Sequence, residues 1–381
     1  MLRIGIDGGN STTITAIDDR EPIIIPTIIA SYKDYSKGFD FKKKRLKDML
    51  DVEIELNFNN KQLKKNLGRY YVGNLAKSEG QNVKIRNIGQ IKKGDDWLFI
   101  TMLTSMAVAV IEEQQKFEGT LTQEVKFVTG LPFIQYQDKE EFMKQFIGSH
   151  KVKFRGPYEI DVELYVNEGF VEVEGAGALN TLIFSDNGYI LPAEELIGRN
   201  IVGIEIGEFT SEIITLTFVD EEDEGIVPEY KHKLCTGFDL GIATAKQFVI
   251  DFLREEKKTL IDRYDIDAAL KLPGARKGLI DCDNGERLNI LEIYEMQLNE
   301  LAQKLAARIS DKVNNSGEKG KIIHTLIYGG GACALDFKFG NALRDAVKKT
   351  IGGESEIAKD PHLVNAIGYL EKANALFDIE G

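Results

Sequence analysis

The segment GIDGGNSTT, residues 5–13, places a carboxylate, glycines and hydroxyl side chains directly after an apolar strand pattern. Glycines allow the backbone to approach a ligand closely, so a turn of this composition presents several N–H groups to one anion. Asp7 stands at the end of the strand, where a carboxylate can hold a hydrated Mg²⁺. The predicted anion contacts of this turn are Gly9, Asn10, Ser11, Thr12 and Thr13.

A second copy of the pattern, GIEIGEFTS, begins at Gly203, 198 residues after Gly5. Asp7 then corresponds to Glu205, which becomes a second predicted metal ligand and a candidate catalytic carboxylate. Two such copies indicate two domains of common design, whose hairpins would grip a polyphosphate from both sides. Either copy alone is also compatible with a simple β-hairpin, but the matching register favours phosphate binding. The predicted contacts of the second copy are Gly207, Glu208, Phe209, Thr210 and Ser211.

A third glycine cluster, YGGGACAL at residues 328–335, again ends an apolar strand pattern and precedes a helical one. Three adjacent glycines let a flat ring lie close to the backbone, which favours a platform for a nucleoside. A tight turn without a ligand is the alternative interpretation. The predicted platform residues are Gly329, Gly330, Gly331 and Ala332.

Together, these motifs resemble those of the actin-like ATPase superfamily, which includes actin, sugar kinases and the large heat-shock chaperones. The resemblance implies an α/β fold of duplicated actin-like (ribonuclease H-like) domains with a nucleotide cleft between them. It also implies that the two turns are phosphate loops, that the third cluster is an adenosine loop, and that the cofactors are ATP or GTP with Mg²⁺. The stretch FVTGLP (127–132) and the compact length are most similar to plasmid-segregating actins of the ParM type.

Two further segments carry the resemblance. VEGAGA (173–178) resembles the first connecting helix of the superfamily, which implies that Glu174 positions the attacking water in catalysis. PHLVNAIGYL (361–370) resembles the C-terminal connecting segment that returns to the first domain. The alternation in VEVEG leaves a second interpretation open, in which Glu172 and Glu174 share a solvent-exposed face of a strand.

Three residues have open roles. Glu205 stands where the superfamily usually has Asp, and its additional methylene means that it either binds Mg²⁺ directly or points elsewhere. The segment GFDLGIATAKQF (237–248) resembles the region near the ribose and base. Asp239 therefore either approaches a ribose hydroxyl or caps the helix, and Lys246 is either close to the nucleotide or solvated.

Strand and helix patterns alternate along the chain, which predicts an α/β architecture with sheets covered on both faces. The predicted domains are residues 1–184, with a polar subdomain inserted at about 31–93, and residues 185–360, while 361–381 forms a helix that returns to the first domain. The apolar stretch 97–111 predicts a buried helix that is too short to span a bilayer. Further helices are predicted at 237–258, 286–313 and 340–350, and a buried strand at 322–331.

The composition excludes several classes. A net charge of -13 over 381 residues argues against a surface that binds nucleic acid directly. The 3 cysteines have no CxxC spacing, which favours reduced thiols over a disulfide framework, and the 4 histidines have no metal-ligand spacing. A strand pattern begins within three residues of the N-terminus, so we expect no signal peptide, no membrane partner and a cytoplasmic location.

The function predicted from these features is a nucleotide-dependent, filament-forming protein that hydrolyses ATP or GTP and drives plasmid segregation. Its subunits would associate head to tail, and a DNA-bound adaptor protein would link the filament to DNA. The basic segment FKKKRLK (41–47) and the acidic segment VDEEDEG (219–225) are either solvated surfaces or complementary subunit contacts. The alternatives are a small-molecule kinase or phosphatase of the same superfamily and a nucleotide-binding scaffold with little turnover.

Overall fold

The structure is a computed structural model and divides into two compact units. Unit one comprises Met1–Ile190 and Leu363–Gly381, and unit two comprises Leu191–His362. Residues 41–44 of the basic segment and 223–224 of the acidic segment lie outside the described residues. The described residues are 1–32, 45–57, 64–85, 91–156, 158–184, 193–222 and 225–377.

Unit one is built on a ten-stranded sheet. Its strands are β1 (Leu2–Gly8), β2 (Thr12–Ala16), β3 (Ile23–Pro26), β4 (Ile28–Ser31), β5 (Leu50–Asn57), β6 (Lys64–Val72), β7 (Gln81–Ile85), β8 (Gly119–Leu131), β9 (Gly148–Phe154) and β10 (Ile160–Val173). Its helices are α1 (Asn74–Glu79), α2 (Asp96–Gln114), α3 (Lys139–Lys144), α4 (Ala176–Phe184) and α10 (Val364–Phe377). The strand order is β3-β2-β1-β8-β10-β9-β5-β6-β4-β7.

The region predicted as an inserted subdomain contributes strands to this same sheet. β5 pairs with β9, and β4 pairs with both β6 and β7, all antiparallel. Alternating apolar residues of β5 supply Val52, Ile54 and Leu56 to the core of unit one. The polar composition of the segment therefore does not separate it from the main sheet, because its strands bury only one face.

Unit two has a smaller sheet of the same design. Its strands are β11 (Asn200–Ile206), β12 (Ser211–Glu221), β13 (Gly225–Tyr230), β14 (Thr236–Phe238), β17 (Ile322–Tyr328) and β18 (Glu354–Ile357), and the separate hairpin is β15 (Leu279–Asp281) with β16 (Arg287–Asn289). Its helices are α5 (Ala193–Leu196), α6 (Ile242–Glu256), α7 (Arg263–Leu270), α8 (Leu291–Ser316) and α9 (Lys338–Ile351). The strand order is β13-β12-β11-β17-β18, with β14 paired to β12.

Two helices start later than the sequence patterns predict. The helix predicted from residue 237 begins at Ile242, because Thr236–Phe238 pairs with β12 as β14. The helix predicted from residue 286 begins at Leu291, because Arg287–Asn289 pairs with β15. In both places, pairing with another strand overrides a local helical pattern.

The internal repeat is visible in strand pairing. In both units, two antiparallel pairings are followed by two parallel ones: β3-β2-β1-β8-β10 in unit one and β13-β12-β11-β17-β18 in unit two. Asp7 pairs with Ile14 in the first hairpin, and Glu205 pairs with Glu212 in the second. Asp7 and Glu205 are 198 residues apart in the sequence, and so are their partners Ile14 and Glu212. The two hairpins therefore have identical register.

The apolar stretch predicted as a buried helix forms α2. Every residue from Leu98 to Ile111 is buried, because this helix is apolar around its whole circumference. The side chain of Asp95 caps its N-terminus by accepting hydrogen bonds from the N–H groups of Trp97 and Leu98. None of the helices in the described part of the chain has the length and apolarity needed to cross a bilayer.

Helices α4 and α10 meet through their backbones. A Cβ atom on Gly368 would lie 1.7 Å from the carbonyl oxygen of Gly177, and one on Gly177 would lie 2.4 Å from the carbonyl oxygen of Asn365. The same helix also approaches β1 closely, since a Cβ on Gly5 would lie 2.1 Å from the carbonyl oxygen of Ala366. The three glycines thus hold β1, α4 and α10 at backbone contact distance.

We expect Gly368→Ala to destabilise unit one, because the new methyl group overlaps the α4 backbone and no flexible side chain can move away. Overpacking of this kind costs about 3 kcal/mol or more, which lowers the melting temperature by roughly 6–12 °C. Thermal unfolding measures the effect. Gly320→Ala is the matched control, since a Cβ there meets nothing within 4 Å; equal melting temperatures for both variants would contradict the proposed contact.

Candidate functional site

Asp7 lies near the end of β1, within reach of three polar side chains of unit one. The pKa of Asp7 is raised from 3.8 to about 6, first by burial and then by the neighbouring Glu174 carboxylate. The ammonium group of Lys92 and a hydrogen bond from Asn365 lower this pKa and partly offset the other two effects. The buried environment therefore disfavours the ionised form of Asp7. A cation next to the carboxylate would offset the free-energy cost of ionisation.

Glu174 forms an ion pair with Lys92. Its Oε2 atom lies 2.8 Å from the Lys92 Nζ, and the Lys92 side chain is only 2% exposed. The backbone holds both residues in place, since the Glu174 N–H donates to the carbonyl of Leu131 at 2.6 Å and the Lys92 N–H donates to Oε1 of Gln135 at 2.8 Å. The Glu174 carboxylate therefore faces the buried ammonium group of Lys92.

The alternative that Glu172 and Glu174 share a solvent-exposed face is wrong. Glu172 is 6% exposed and accepts a hydrogen bond from Nδ2 of Asn180 at 2.6 Å. Burial raises the pKa of Glu172 above its ordinary value. Glu172 contacts Asn180 of α4 and Glu174 pairs with Lys92, so neither carboxylate lies on a solvent-exposed strand face.

The donor set around Asp7 fits a hydrated Mg²⁺. Carboxylate oxygens are hard ligands, and Mg²⁺ usually keeps several waters and takes the rest of its ligands from one or two carboxylates and substrate phosphates. Within the described ranges, no group of three or more His, Cys, Asp or Glu side chains is arranged to hold a metal by itself.

The first glycine turn is braced by Thr27. The Thr27 hydroxyl donates to the carbonyl of Gly9 at 2.9 Å, and its N–H donates to the carbonyl of Ser11 at 2.9 Å. A Cβ on Gly9 would lie 2.6 Å from the carbonyl oxygen of Thr12, so the turn requires glycine there. These bonds engage the carbonyl oxygens of the turn and fix its conformation.

The threonines of the first turn differ in position. Thr13 is fully buried, and its hydroxyl is 3.1 Å from that of Thr27, which already donates to Gly9. Thr12 and the turn residues Gly9, Asn10 and Ser11 are partly exposed. The hydroxyl of Thr13 thus stabilises the hairpin from inside, whereas Thr12 remains at the surface of unit one.

The second turn is closed by its own backbone and by unit-two side chains. The Gly207 N–H donates to the carbonyl of Thr210 at 2.9 Å, and the Ser211 hydroxyl donates to the carbonyl of Leu240 at 2.6 Å. Phe209 is buried beneath the guanidinium group of Arg263, which lies 4.4 Å from the ring centroid. Among the predicted contacts of this turn, Ser211 and Phe209 serve the packing of unit two.

Lys246 is buried in a charge cluster, so the expectation that it is solvated is wrong. Its Nζ donates to both carboxylate oxygens of Glu208, at 3.1 Å and 3.0 Å, and lies 2.8 Å from Oδ1 of Asp267. The side chain is 5% exposed. The cluster ties the second turn to α6 and α7, an arrangement that local sequence does not indicate.

Glu205 is 7% exposed and has Glu212 and Tyr328 as its cross-strand partners. Cross-strand partners share a face of the sheet, so two carboxyl groups and a phenol are adjacent. The pKa of Tyr328 is raised well above its ordinary value, first by burial and then by the charges of Glu205 and Glu212. Metal binding by Glu205 stays a prediction.

The third glycine cluster packs on the end of β11. A Cβ on Gly329 would lie 2.4 Å from the carbonyl oxygen of Ile206, and one on Gly331 would lie 2.4 Å from the Cγ2 atom of Ile206. Gly329 also has a φ of +89°, which favours glycine. Gly330 is exposed with open space around it, whereas Ala332 is buried. Gly330 is therefore the exposed glycine of the cluster, whereas Gly329 and Gly331 are buried against β11.

Asp239 is exposed and lies three residues before the first residue of α6. The N-cap position is Gly241, and no side chain forms a cap hydrogen bond there. The interpretation of Asp239 as a helix cap is therefore wrong. Contact with a ribose remains a prediction.

Residues 5–177 match the family described as actin-like proteins, N-terminal domain. A 15-stranded ParM filament from Clostridium botulinum is 18% identical, with a TM-score of 0.72 over 98% of this chain and 99% of that one. ParM of Bacillus thuringiensis with AMPPNP is 22% identical, with a TM-score of 0.65 over 100% and 99%. An archaeal actin homolog in complex with ADP is 16% identical, with a TM-score of 0.68 over 98% and 100%. No curated protein sequence matches the chain significantly.

Residues 5–177, slightly less than half of the chain, are thus similar to the N-terminal domain of actin-like proteins. At these identities the solved structures establish the fold, and the α/β, actin-like fold predicted from the repeated motifs is confirmed. ParM-type proteins are among its structural neighbours, as the sequence indicated.

Sequence reasoning missed two polar residues of the candidate site, Lys92 and Asn365. Lys92 lies in a polar segment before α2, where its side chain has no periodic signal of burial. Asn365 is 2% exposed and is an amide within an otherwise apolar helical pattern. An isolated polar residue of that kind is a usable signal, because a buried amide requires hydrogen-bond partners.

We expect Asp7→Asn to stabilise the metal-free protein at neutral pH. The pKa of Asp7 is higher in the folded state, at about 6, than its ordinary 3.8, so ionisation removes stability as the pH rises from about 4 to about 6. Asn cannot ionise. The stability advantage of Asp7→Asn should therefore grow through this window, to at most about 3 kcal/mol, and stay constant above it. Urea unfolding in EDTA at several pH values measures it; an advantage independent of pH would contradict the raised pKa.

We expect Lys246→Met to destabilise unit two by about 3 kcal/mol, because the carboxylates of Glu208 and Asp267 lose their shared buried partner. Urea unfolding monitors the loss. Lys304→Met is the matched control, since the Lys304–Glu300 pair is on the surface of α8, with side chains 56% and 50% exposed, and should change stability by less than about 0.5 kcal/mol. Equal losses for the two variants would rule out the buried cluster.

Proposed function

We propose that this protein binds a nucleoside triphosphate with Mg²⁺, hydrolyses it, and assembles head to tail into a filament that segregates plasmid DNA. The observation that carries the proposal is the group formed by Asp7, Glu174 and Lys92. Asp7 lies near the end of β1, Glu174 directly follows β10, and Lys92 lies in the segment before α2. Two carboxylates and one buried ammonium group are suited to phosphoryl transfer, which depends on positioning and charge stabilisation.

The residues of unit one would have distinct tasks. Asp7 would hold the metal through its bound water, and Lys92 would neutralise charge on a bound phosphate. Glu174 would accept a hydrogen bond from the attacking water and orient it. When bound beside Asp7, Mg²⁺ would supply positive charge that stabilises the negative charge developing on the phosphate oxygens. Since Lys92 pairs with Glu174 in this structure, an anion that attracts Lys92 would leave Glu174 available to water.

Both glycine turns would contribute to nucleotide binding. We propose that backbone N–H groups from Gly9 to Thr12 and from Gly207 to Thr210 contact phosphate oxygens. Asp239 and the exposed Gly330 would contact the nucleoside, with Gly329, Gly331 and Ala332 supporting the platform. Glu205 would act as the second metal carboxylate. ATP and GTP are both compatible with these contacts.

Filament formation has independent support. A heterologous contact that does not close generates a helical polymer, and one of the structural neighbours is itself a ParM filament. The net charge of -13 favours a basic, DNA-bound adaptor over direct contact with DNA. Differential affinity of two conformations for the triphosphate would couple hydrolysis to disassembly.

Sedimentation and light scattering with ATP, GTP or no nucleotide test the proposal, each with Mg²⁺ or with EDTA. Triphosphate-dependent pelleting together with phosphate release is the expected result. Phosphate release that requires an added sugar or acid, without pelleting, would favour the small-molecule kinase instead. Nucleotide binding without either property would favour the scaffold.

We expect Glu174→Gln to lower kcat for phosphate release by about 100-fold, because an amide cannot accept the proton of the attacking water. Nucleotide binding should persist, and filaments formed by the variant should disassemble slowly. Glu172→Gln is a suitable control, since Glu172 is a buried carboxyl two residues away that contacts Asn180. Wild-type phosphate release by Glu174→Gln would remove Glu174 from the catalytic group.

A further inference from the structure

Asn365 is the second residue of α10 and has no role in the function proposed above. It is 2% exposed, and its helix neighbours Val364 and Ala366 are buried apolar residues. A polar side chain in such a place is retained only if its hydrogen-bonding groups are used. The structure provides a partner for each end of the amide.

The carbonyl end of the amide is bound to α4. Oδ1 of Asn365 accepts a hydrogen bond from the N–H of Ala178 at 3.0 Å. Ala178 is the third residue of α4, so its N–H group has no partner within the helix. Asn365 therefore caps, from α10, the helix whose N-terminus directly follows Glu174 and Gly175.

The amino end of the amide is directed at β1. Asn365 forms a side-chain hydrogen bond with Asp7. A carboxylate only accepts, and Oδ1 of Asn365 is occupied by Ala178, so Nδ2 is the donor. One side chain thus joins the strand that carries Asp7 to the helix that follows Glu174.

The surrounding backbone leaves this amide little freedom. Gly177 contacts the backbone of α10 at Asn365 itself, and Gly5 contacts it at Ala366. The distances from α10 to α4 and to β1 are therefore set by main-chain contact, and a buried side chain between them cannot swing without losing a hydrogen bond.

We propose that Asn365 is a positioning residue that fixes the orientation of the Asp7 carboxylate relative to Glu174, so that Asp7 is prepared to receive the metal ion of a bound nucleotide. The inference rests on the proposed function. It implies that Asn365 acts through Asp7 and not merely by stabilising α4.

The test is a double-mutant cycle on metal-dependent binding. A fluorescent, non-hydrolysable triphosphate is titrated in Mg²⁺ and in EDTA, and the ratio of the two dissociation constants is compared for Asn365→Ala, Asp7→Asn and the double variant. We expect Asn365→Ala to reduce the Mg²⁺-dependent gain in affinity by about 10- to 100-fold, the usual effect of removing a partner of a metal ligand. In the Asp7→Asn background, the same substitution should reduce it no further.

Asn180→Ala is the matched control. Asn180 is also a buried asparagine between α4 and α10, but it donates to Glu172 and to the carbonyl of Gly368. Its Mg²⁺-dependent gain should remain within about twofold of the wild-type value. An unchanged gain in Asn365→Ala, or a loss that adds fully to that of Asp7→Asn, would overturn the inference.

A second variant covers the case in which Asn365→Ala does not fold. Asn365→Asp keeps an oxygen that accepts from the Ala178 N–H but cannot donate to Asp7 when ionised. Positioning predicts that its kcat falls at least about 10-fold, whereas a purely helix-capping role predicts a wild-type kcat. If the wild-type protein shows no Mg²⁺-dependent binding of the triphosphate, the proposed function fails. If the wild-type protein shows such binding and the Asn365 variants behave as it does, the inference about Asn365 fails and the proposed function stands.

Discussion

The backbones of α4 and α10 touch at Gly177 and Gly368, and this contact determines where the polar groups of unit one lie. A helix pair separated by ordinary side chains has its axes 8–10 Å apart or more, depending on the residues at the contact. With glycine on both helices the separation is minimal, so Asn365 reaches Ala178 in α4 directly. The same close approach of α10 to β1 at Gly5 allows Asn365 to reach Asp7.

The close packing at the glycines stabilises unit one, whereas the charged side chains buried beside it reduce its stability. Close backbone packing excludes water, which makes the interactions between charged side chains stronger and unpaired charges more costly. Lys92 and Glu174 compensate each other in this environment, whereas Asp7 is left with a pKa of about 6. A partly buried carboxylate that is neither fully paired nor replaced by an apolar residue is characteristic of functional sites, where stability is given up for chemistry.

The features predicted correctly from the sequence are those encoded locally. Strand patterns followed by glycine and hydroxyl residues are short-range signals, and their recurrence after 198 residues defined the register that both hairpins have. The residues that were missed or misread depend on distant contacts. Lys246 is five residues into an amphipathic helix, where a lysine is ordinarily solvated, and only Glu208 and Asp267 from other elements make its burial favourable. Lys92 is buried for the same reason, because Glu174 is 82 residues away in sequence and adjacent in space.

The two hairpins share their register but have diverged in their side chains. At the position of Asp7, unit two has the buried Glu205, and at the position of Ile14 it has a second buried carboxyl, Glu212. The charged residue of the second turn, Glu208, is already neutralised by Lys246. The second turn can therefore offer mainly its backbone N–H groups to a ligand, while the first has a partly exposed carboxylate with a raised pKa. The equivalent positions of the two hairpins therefore differ in charge environment: Asp7 is partly exposed and has a raised pKa, whereas Glu205 and Glu212 are buried.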